Sequence, residues 1–139
     1  QRVVHFDAKI SNFLFEQNTN KVKAIIDLDT LMPRTVLSDV GDMIRTYSNR
    51  LGEESQNITQ VFSDQEIIES ILNGFTSTAV LSEKEKSYLY FSGQALSLMQ
   101  CVRFLTDYLN NDAYYHTTYP THNWMRAQNQ WALYNSLKG

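Results

Sequence analysis

The chain has 139 residues, 42% of them hydrophobic and 12% aromatic, a make-up that supports one globular domain with a sizeable core and excludes a disordered chain. A formal charge of −3 offers no basic field for a nucleic acid, so no nucleic-acid partner is expected. No apolar run is long enough to span a bilayer, no signal-peptide pattern opens the chain and the single Cys101 cannot form an internal disulfide, which together predict a cytoplasmic protein with no membrane partner.

Val3-Val4 reads as a short strand leading into a polar loop from Phe6 to Asn12. Phe13-Leu14-Phe15 and Val22-Lys23-Ala24-Ile25-Ile26 read as two strands joined by the turn-rich Gln17-Asn18-Thr19-Asn20, a hairpin with Asn12 at its start and Asp27 at its end. Pro33 breaks the segment after Asp29, and Ser38 or Asp39 is placed to cap a helix running through Met43, Ile44 and Tyr47. Asn49 to Ser63 is polar, carries Gly52 and has no period, so a mobile loop is expected; the sequon Asn57-Ile58-Thr59 within it would matter only in a secreted protein.

Ser63-Asp64-Gln65-Glu66 is a capping-box pattern, with Ile67, Ile68, Ile71, Leu72 and Phe75 behind it at helical spacing. Ser82-Glu83-Lys84-Glu85 repeats the pattern ahead of Leu89, Leu96, Met99, Val102 and Leu105, which predict a long, mostly buried helix to about Tyr108 with Cys101 as a small buried side chain. Asn110 to Thr121 reads as a polar, Tyr-rich loop, and His122 or Asn123 opens a last amphipathic helix through Trp124, Ala127, Trp131 and Tyr134. The predicted fold is α+β, mostly helical: a small β-hairpin and about four helices.

Three polar clusters carry chemistry. Phosphoryl transfer asks for a carboxylate to orient the attacking hydroxyl, hard oxygen ligands for magnesium, and a cation near the migrating group. Asp7 is the candidate base, Asn12 and Asp27 at the two ends of the hairpin are candidate magnesium ligands, and Lys9 is the cation. Asp29 alternates with Asp27 along a strand-like segment, so it is expected to point away from the metal and to act only in support.

The five-residue separation of Asp7 and Asn12 is that of the base and metal-binding Asn in the kinase pattern H-R-D-L-x-x-x-N, and Asp27 comes after an apolar strand as the Asp of D-F-G does. His5-x-Asp7-x-x-x-x-Asn12, then Ile25-Ile26-Asp27-Leu28-Asp29, then Leu37-Ser38-Asp39-Val40-Gly41-Asp42, resembles the carboxyl-terminal lobe of the aminoglycoside phosphotransferase and choline kinase superfamily, with the closest likeness to the N-acetylhexosamine 1-kinases. The resemblance implies the carboxyl-terminal lobe of a protein-kinase-like fold, with ATP and Mg2+ as cofactors and a sugar as acceptor. It makes Lys9 a contact of the γ-phosphate, His5 a brace beneath the loop, and Asp39, assisted by Asp42, an acceptor of the loop's backbone N–H groups.

For the acceptor, Arg103, Asp107, Tyr114, Tyr115 and Trp124 have the polar-aromatic character of a sugar-binding wall, although aromatic residues at helical spacing are more often core. Arg45 reads equally as an ion-pair partner or a ligand. The five glycines form no nucleotide-binding pattern. Residues 1–139 are therefore expected to be the catalytic-loop lobe of a longer protein whose amino-terminal, nucleotide-binding lobe would be its partner, and to be inactive without it. Two alternatives remain open: a non-catalytic ligand-binding module of the same fold, and a kinase for choline- or aminoglycoside-type acceptors.

Overall fold

The computed structural model describes residues 2–139. The chain is α+β and mostly helical, the layout expected of a carboxyl-terminal lobe, with two small antiparallel ribbons set against four helices. In the first ribbon β1 (Arg2–Val4) pairs with β4 (Met32–Arg34), Val3 lying opposite Pro33. Sequence pattern marks Pro33 only as an interruption. A proline cannot donate to a ladder, but in a two-stranded ribbon each strand has a free edge toward which the missing N–H can face.

The second ribbon is the expected hairpin, β2 (Phe13–Phe15) on β3 (Val22–Ile25), with Phe13 opposite Ile25 and a bulge between Leu14 and Phe15. One further backbone bond, from Ile26 N–H to the Asn12 carbonyl at 2.9 Å, extends the pairing beyond the strands. It fixes residue 27 next to residue 12.

Helix α1 (Leu37–Tyr47) is capped two residues ahead of Ser38, the earlier of the predicted caps: Val36 is its cap residue and the Thr35 hydroxyl accepts the Leu37 N–H. Asp39 is thereby inside the first turn, where its side chain is free for another task. Helix α2 (Gln65–Thr78) is capped by Asp64, which accepts the Ile67 N–H at 3.2 Å, while the Ser63 N–H donates to the Ser136 hydroxyl. Helix α3 (Glu83–Leu109) opens on a complete capping box, Ser82 and Glu85 each accepting the other's backbone N–H.

Val40, Ile44, Ile68, Leu89, Leu133 and Leu137 form the main core, drawn from α1, α2, α3 and α4 (His122–Lys138). Helices α1 and α3 pack very closely: a Cβ on Gly41 would lie 2.6 Å from the Ser92 carbonyl oxygen. A smaller cluster, Cys101, Phe104 and Ala127, joins α3 to α4.

Two expectations about these helices fail. Met99 and Val102 are about half exposed, and the buried side of α3 is instead small and polar, with Ser92, Gly93, Ser97, Gln100 and Asp107. On α4 the tryptophans 124 and 131 face outward, while Asn123, Asn129 and Gln130 are buried.

The inward polar groups of α4 have a use. Asn129 Nδ2 donates to the carbonyls of Gly52 and Ser55 at 3.0 and 3.1 Å, and its Oδ1 accepts from Asn49. The segment 49–63, expected to be a mobile loop, is pinned to α4 by these bonds and by Glu54, which binds His122 and Arg126. Buried loop carbonyls must find donors, and here a helix supplies them. No helix of the described residues is long and apolar enough to cross a membrane.

Candidate active site

The loop between β1 and β2 is built around its own polar groups. Phe6 has φ 65°, a left-handed conformation unusual for an aromatic residue, and the N–H groups of His5 and Phe6 both point at Asp39, whose two carboxylate oxygens accept them at 2.9 and 2.8 Å. The His5 ring donates from Nε2 to the Ile26 carbonyl at 2.9 Å, and its own carbonyl accepts the Thr30 hydroxyl at 2.6 Å. His5 Nδ1 is buried without a partner among the described residues. His5 thus ties the loop to the end of the hairpin.

Residues 10–12 form a single 3-10 turn that buries Asn12. Asn12 Nδ2 donates twice to Asp7, to its backbone carbonyl at 2.8 Å and to Oδ2 at 3.0 Å. The same Oδ2 receives Lys9 Nζ at 2.8 Å. Asp7 Oδ1 is left without a hydrogen-bond partner among the described residues. Burial would lower the Lys9 pKa, but the contact with Asp7 outweighs it and holds the ammonium above its ordinary value.

Asp27 is left-handed, with φ 64°, and leads directly into a 3-10 turn over Leu28–Thr30. That turn overturns the strand alternation expected for Asp29. The nearby Asp29 carboxylate raises the Asp27 pKa above its ordinary value, an effect the Lys9 charge opposes. Two facing carboxylates hold a proton or call for a cation between them.

The structure therefore brings Asp7, Lys9, Asn12, Asp27 and Asp29 to one end of the hairpin. No three His, Cys, Asp or Glu side chains among the described residues cluster as a metal site. The oxygen donors nevertheless suit magnesium: Asn12 spends its amide N–H groups on Asp7, which leaves Oδ1 to coordinate, and among the described residues the Asp27–Asp29 pair has no counter-ion beyond Lys9.

Asp42 does not support the loop backbone as Asp39 does. It is buried and turns its carboxylate to Arg45, Oδ1 accepting Nε and Nη2 at 2.9 and 2.7 Å; burial pushes the Asp42 carboxyl up, against the pull of Arg45. The loop's second anchor is Thr46, missed in the sequence, whose hydroxyl donates to the Asp42 carbonyl and accepts the Ile10 N–H.

Beside Asp7 opens a cleft of about 610 Å³, bordered by Lys9, Glu53, Gln100, Arg103, Tyr115 and Arg126 among others. Arg103 lies 5.9 and 5.5 Å from the ring centroids of Tyr114 and Tyr115 and makes no ion pair among the described residues. Asp107, expected at the acceptor, is buried and accepts the N–H groups of Tyr114 and Tyr115 and the Asn123 amide at 2.8 to 2.9 Å. Its charge is fully used in shaping the loop that presents the two tyrosines. Trp124 leans on Tyr108, with centroids 5.9 Å apart, and does not border the cleft.

Residues 1–64 match the family model of the phosphotransferase enzymes. The matched stretch holds the loop, both ribbons and α1, and ends at the cap of α2. It supports a phosphotransferase of kinase type, with Asp7, Lys9, Asn12, Asp27 and Asp39 all inside it, whereas Arg103, Asp107, Tyr114 and Tyr115 lie beyond. Glu53 and Arg126, which border the cleft, were not singled out in the sequence; nothing in their spacing distinguishes them from surface charges.

Proposed function

We propose that the protein is an ATP- and magnesium-dependent phosphotransferase that moves the γ-phosphate to a hydroxyl of a small molecule, an N-acetylhexosamine or related sugar. The observation that carries this reading is the grip of Asn12 on Asp7: one amide fixes the base through two bonds and keeps its own oxygen for a cation.

Asp7 Oδ2 is occupied by Asn12 and Lys9, so Oδ1 orients the acceptor hydroxyl and takes its proton as transfer proceeds. A loose transition state needs orientation more than early deprotonation. Asn12 and Asp27 would hold the metal, with Asp29 beside them, and bound magnesium would supply neutralisation of phosphate charge. Lys9 lends positive charge next to the base, where the migrating group passes. Arg103 with Tyr114 and Tyr115 offers the acceptor a flat, cationic wall.

The nucleotide would be covered by a separate amino-terminal lobe. Leu14, Phe15, Val22 and Ile25 expose apolar side chains on the hairpin, a surface suited to such a cover. The protein would work in the cytoplasm. The test is phosphate transfer from ATP by the full-length protein to a panel of sugars, choline and aminoglycosides. Transfer to an N-acetylhexosamine that is lost in Asp7→Asn is expected; no transfer to any acceptor overturns the reading.

A further inference from the structure

Glu53 has an arrangement that its structural duties do not exhaust. It sits in the segment between α1 and α2, with its side chain one-third exposed, and Oε2 accepts Arg45 Nη1 at 2.6 Å. Arg45 is already neutralised by Asp42, through two bonds to a single oxygen. Glu53 therefore adds a negative charge that the buried pair does not need. Its Oε1 has no hydrogen-bond partner among the described residues, and the side chain borders the same cleft as Asp7.

The carboxylate is also held firmly. On one side the Gly52 carbonyl is bound by Asn49 and Asn129, and on the other Glu54 is bound by His122 and Arg126. Arg45, which orients it, is itself fastened by Asp42 and by the buried Gln130. A pre-positioned, half-satisfied carboxylate on a cleft wall is a recognition element for O–H or N–H donors, because ordering it has cost nothing at the moment of binding. Arg103 borders the same cleft with the opposite charge.

We propose that Glu53 is an acceptor-binding, specificity-determining residue whose free oxygen accepts a hydrogen bond from a second hydroxyl or amide N–H of the acceptor, other than the hydroxyl that reacts. This rests on the phosphotransfer reading and narrows it. The favoured acceptors carry a neutral donor near the reacting hydroxyl, and those with an anionic group there are rejected by like charge.

The test is Glu53→Gln in the full-length protein, assayed with ATP and the best acceptor of the panel. Glutamine can keep the bond to Arg45 through its carbonyl oxygen, so the melting temperature and the KM for ATP should stay at wild-type values. A hydrogen bond to a charged group is lost, so the acceptor KM should rise about tenfold or more, with kcat within about threefold. Deoxy analogues of the acceptor should identify the partner hydroxyl: against one of them, wild type and variant become equal.

Glu53→Asp, which keeps the charge but withdraws it, should fall between the two. An active enzyme whose acceptor KM is unmoved by Glu53→Gln overturns this inference and leaves phosphotransfer standing. A fall in melting temperature with a matching rise in both KM values would assign Glu53 a purely structural role and overturn it too. A wild-type protein that phosphorylates nothing overturns the phosphotransfer reading itself.

Discussion

Asp39 and His5 are 34 residues apart in the chain and 2.9 Å apart at the hydrogen bond that joins them, Asp39 Oδ2 accepting the His5 N–H while Oδ1 takes that of Phe6. One carboxylate from the first turn of α1 thus holds the left-handed corner from which Asp7 emerges. Replacement by alanine leaves two N–H groups unpaired; the His5 one is part-buried and costs about 1–3 kcal/mol, while the exposed Phe6 one can turn to water. Asp39→Ala should lower stability by about 1–3 kcal/mol in denaturant titration, and should cost transfer activity even at temperatures where the variant is folded.

Asp7→Asn keeps the shape of the base and removes its charge. If Asp7 orients and deprotonates the acceptor, kcat should fall by about 10²–10⁴-fold. The acceptor KM should change little. The check is steady-state kinetics, with circular dichroism to confirm an unchanged fold.

The proposed magnesium-dependent reading carries its own test. Chelation should abolish transfer and added Mg2+ should restore it. Asn12→Ala removes both the amide oxygen offered to the metal and the clamp on Asp7, so its Mg2+ requirement should rise at least about tenfold together with a loss in kcat. Titration of rate against free Mg2+ reads both.

Gly41→Ala tests the approach of α1 to α3. The added methyl would meet the Ser92 carbonyl oxygen, which is backbone and cannot swing aside. Overpacking of this kind costs about 1–3 kcal/mol, and thermal denaturation should show it. Gly74→Ala serves as the control, because a Cβ there meets open space, and in a helix interior it should be neutral or stabilising.

Acid sensitivity should appear at the seam between β1 and α3. The Arg2 guanidinium, with help from Ser82, holds the Glu85 carboxyl down at about 2, from an ordinary 4.5. A carboxyl depressed in the folded state stabilises fully above its ordinary value and loses that contribution as pH falls toward the folded one. The stability gap between wild type and Arg2→Gln should therefore be largest above about pH 4.5 and close as pH falls toward 2. Acid titration of both proteins, tracked by circular dichroism, checks this.

Much of the fold is written in short-range pattern. Alternation and turn residues mark β2 and β3, the Ser82–Glu85 capping box marks the start of α3, and the apolar spacing behind the caps gives the mostly helical α+β class. The five-residue separation of Asp7 and Asn12 also foretells their contact, because both sit in one loop and the pairing is nearly local.

The direction in which long-range groups turn is beyond the sequence. Asp29 and Asp27 share a face only because residue 27 is left-handed and opens a 3-10 turn, which strand alternation does not foresee. Asp107 has the same composition-level credentials as a sugar ligand, yet burial commits it to backbone donors of a loop that folds back on it. Glu53 reads as one more polar residue in a loop without period, and Asn129 and Gln130 read as the wet side of a helix. Only packing reveals that the helix faces inward with its amides and so fixes that carboxylate at the cleft. Local pattern specifies elements and nearby pairs; the pairing of buried polar groups across the chain depends on where each carbonyl is left without water, which tertiary structure alone sets.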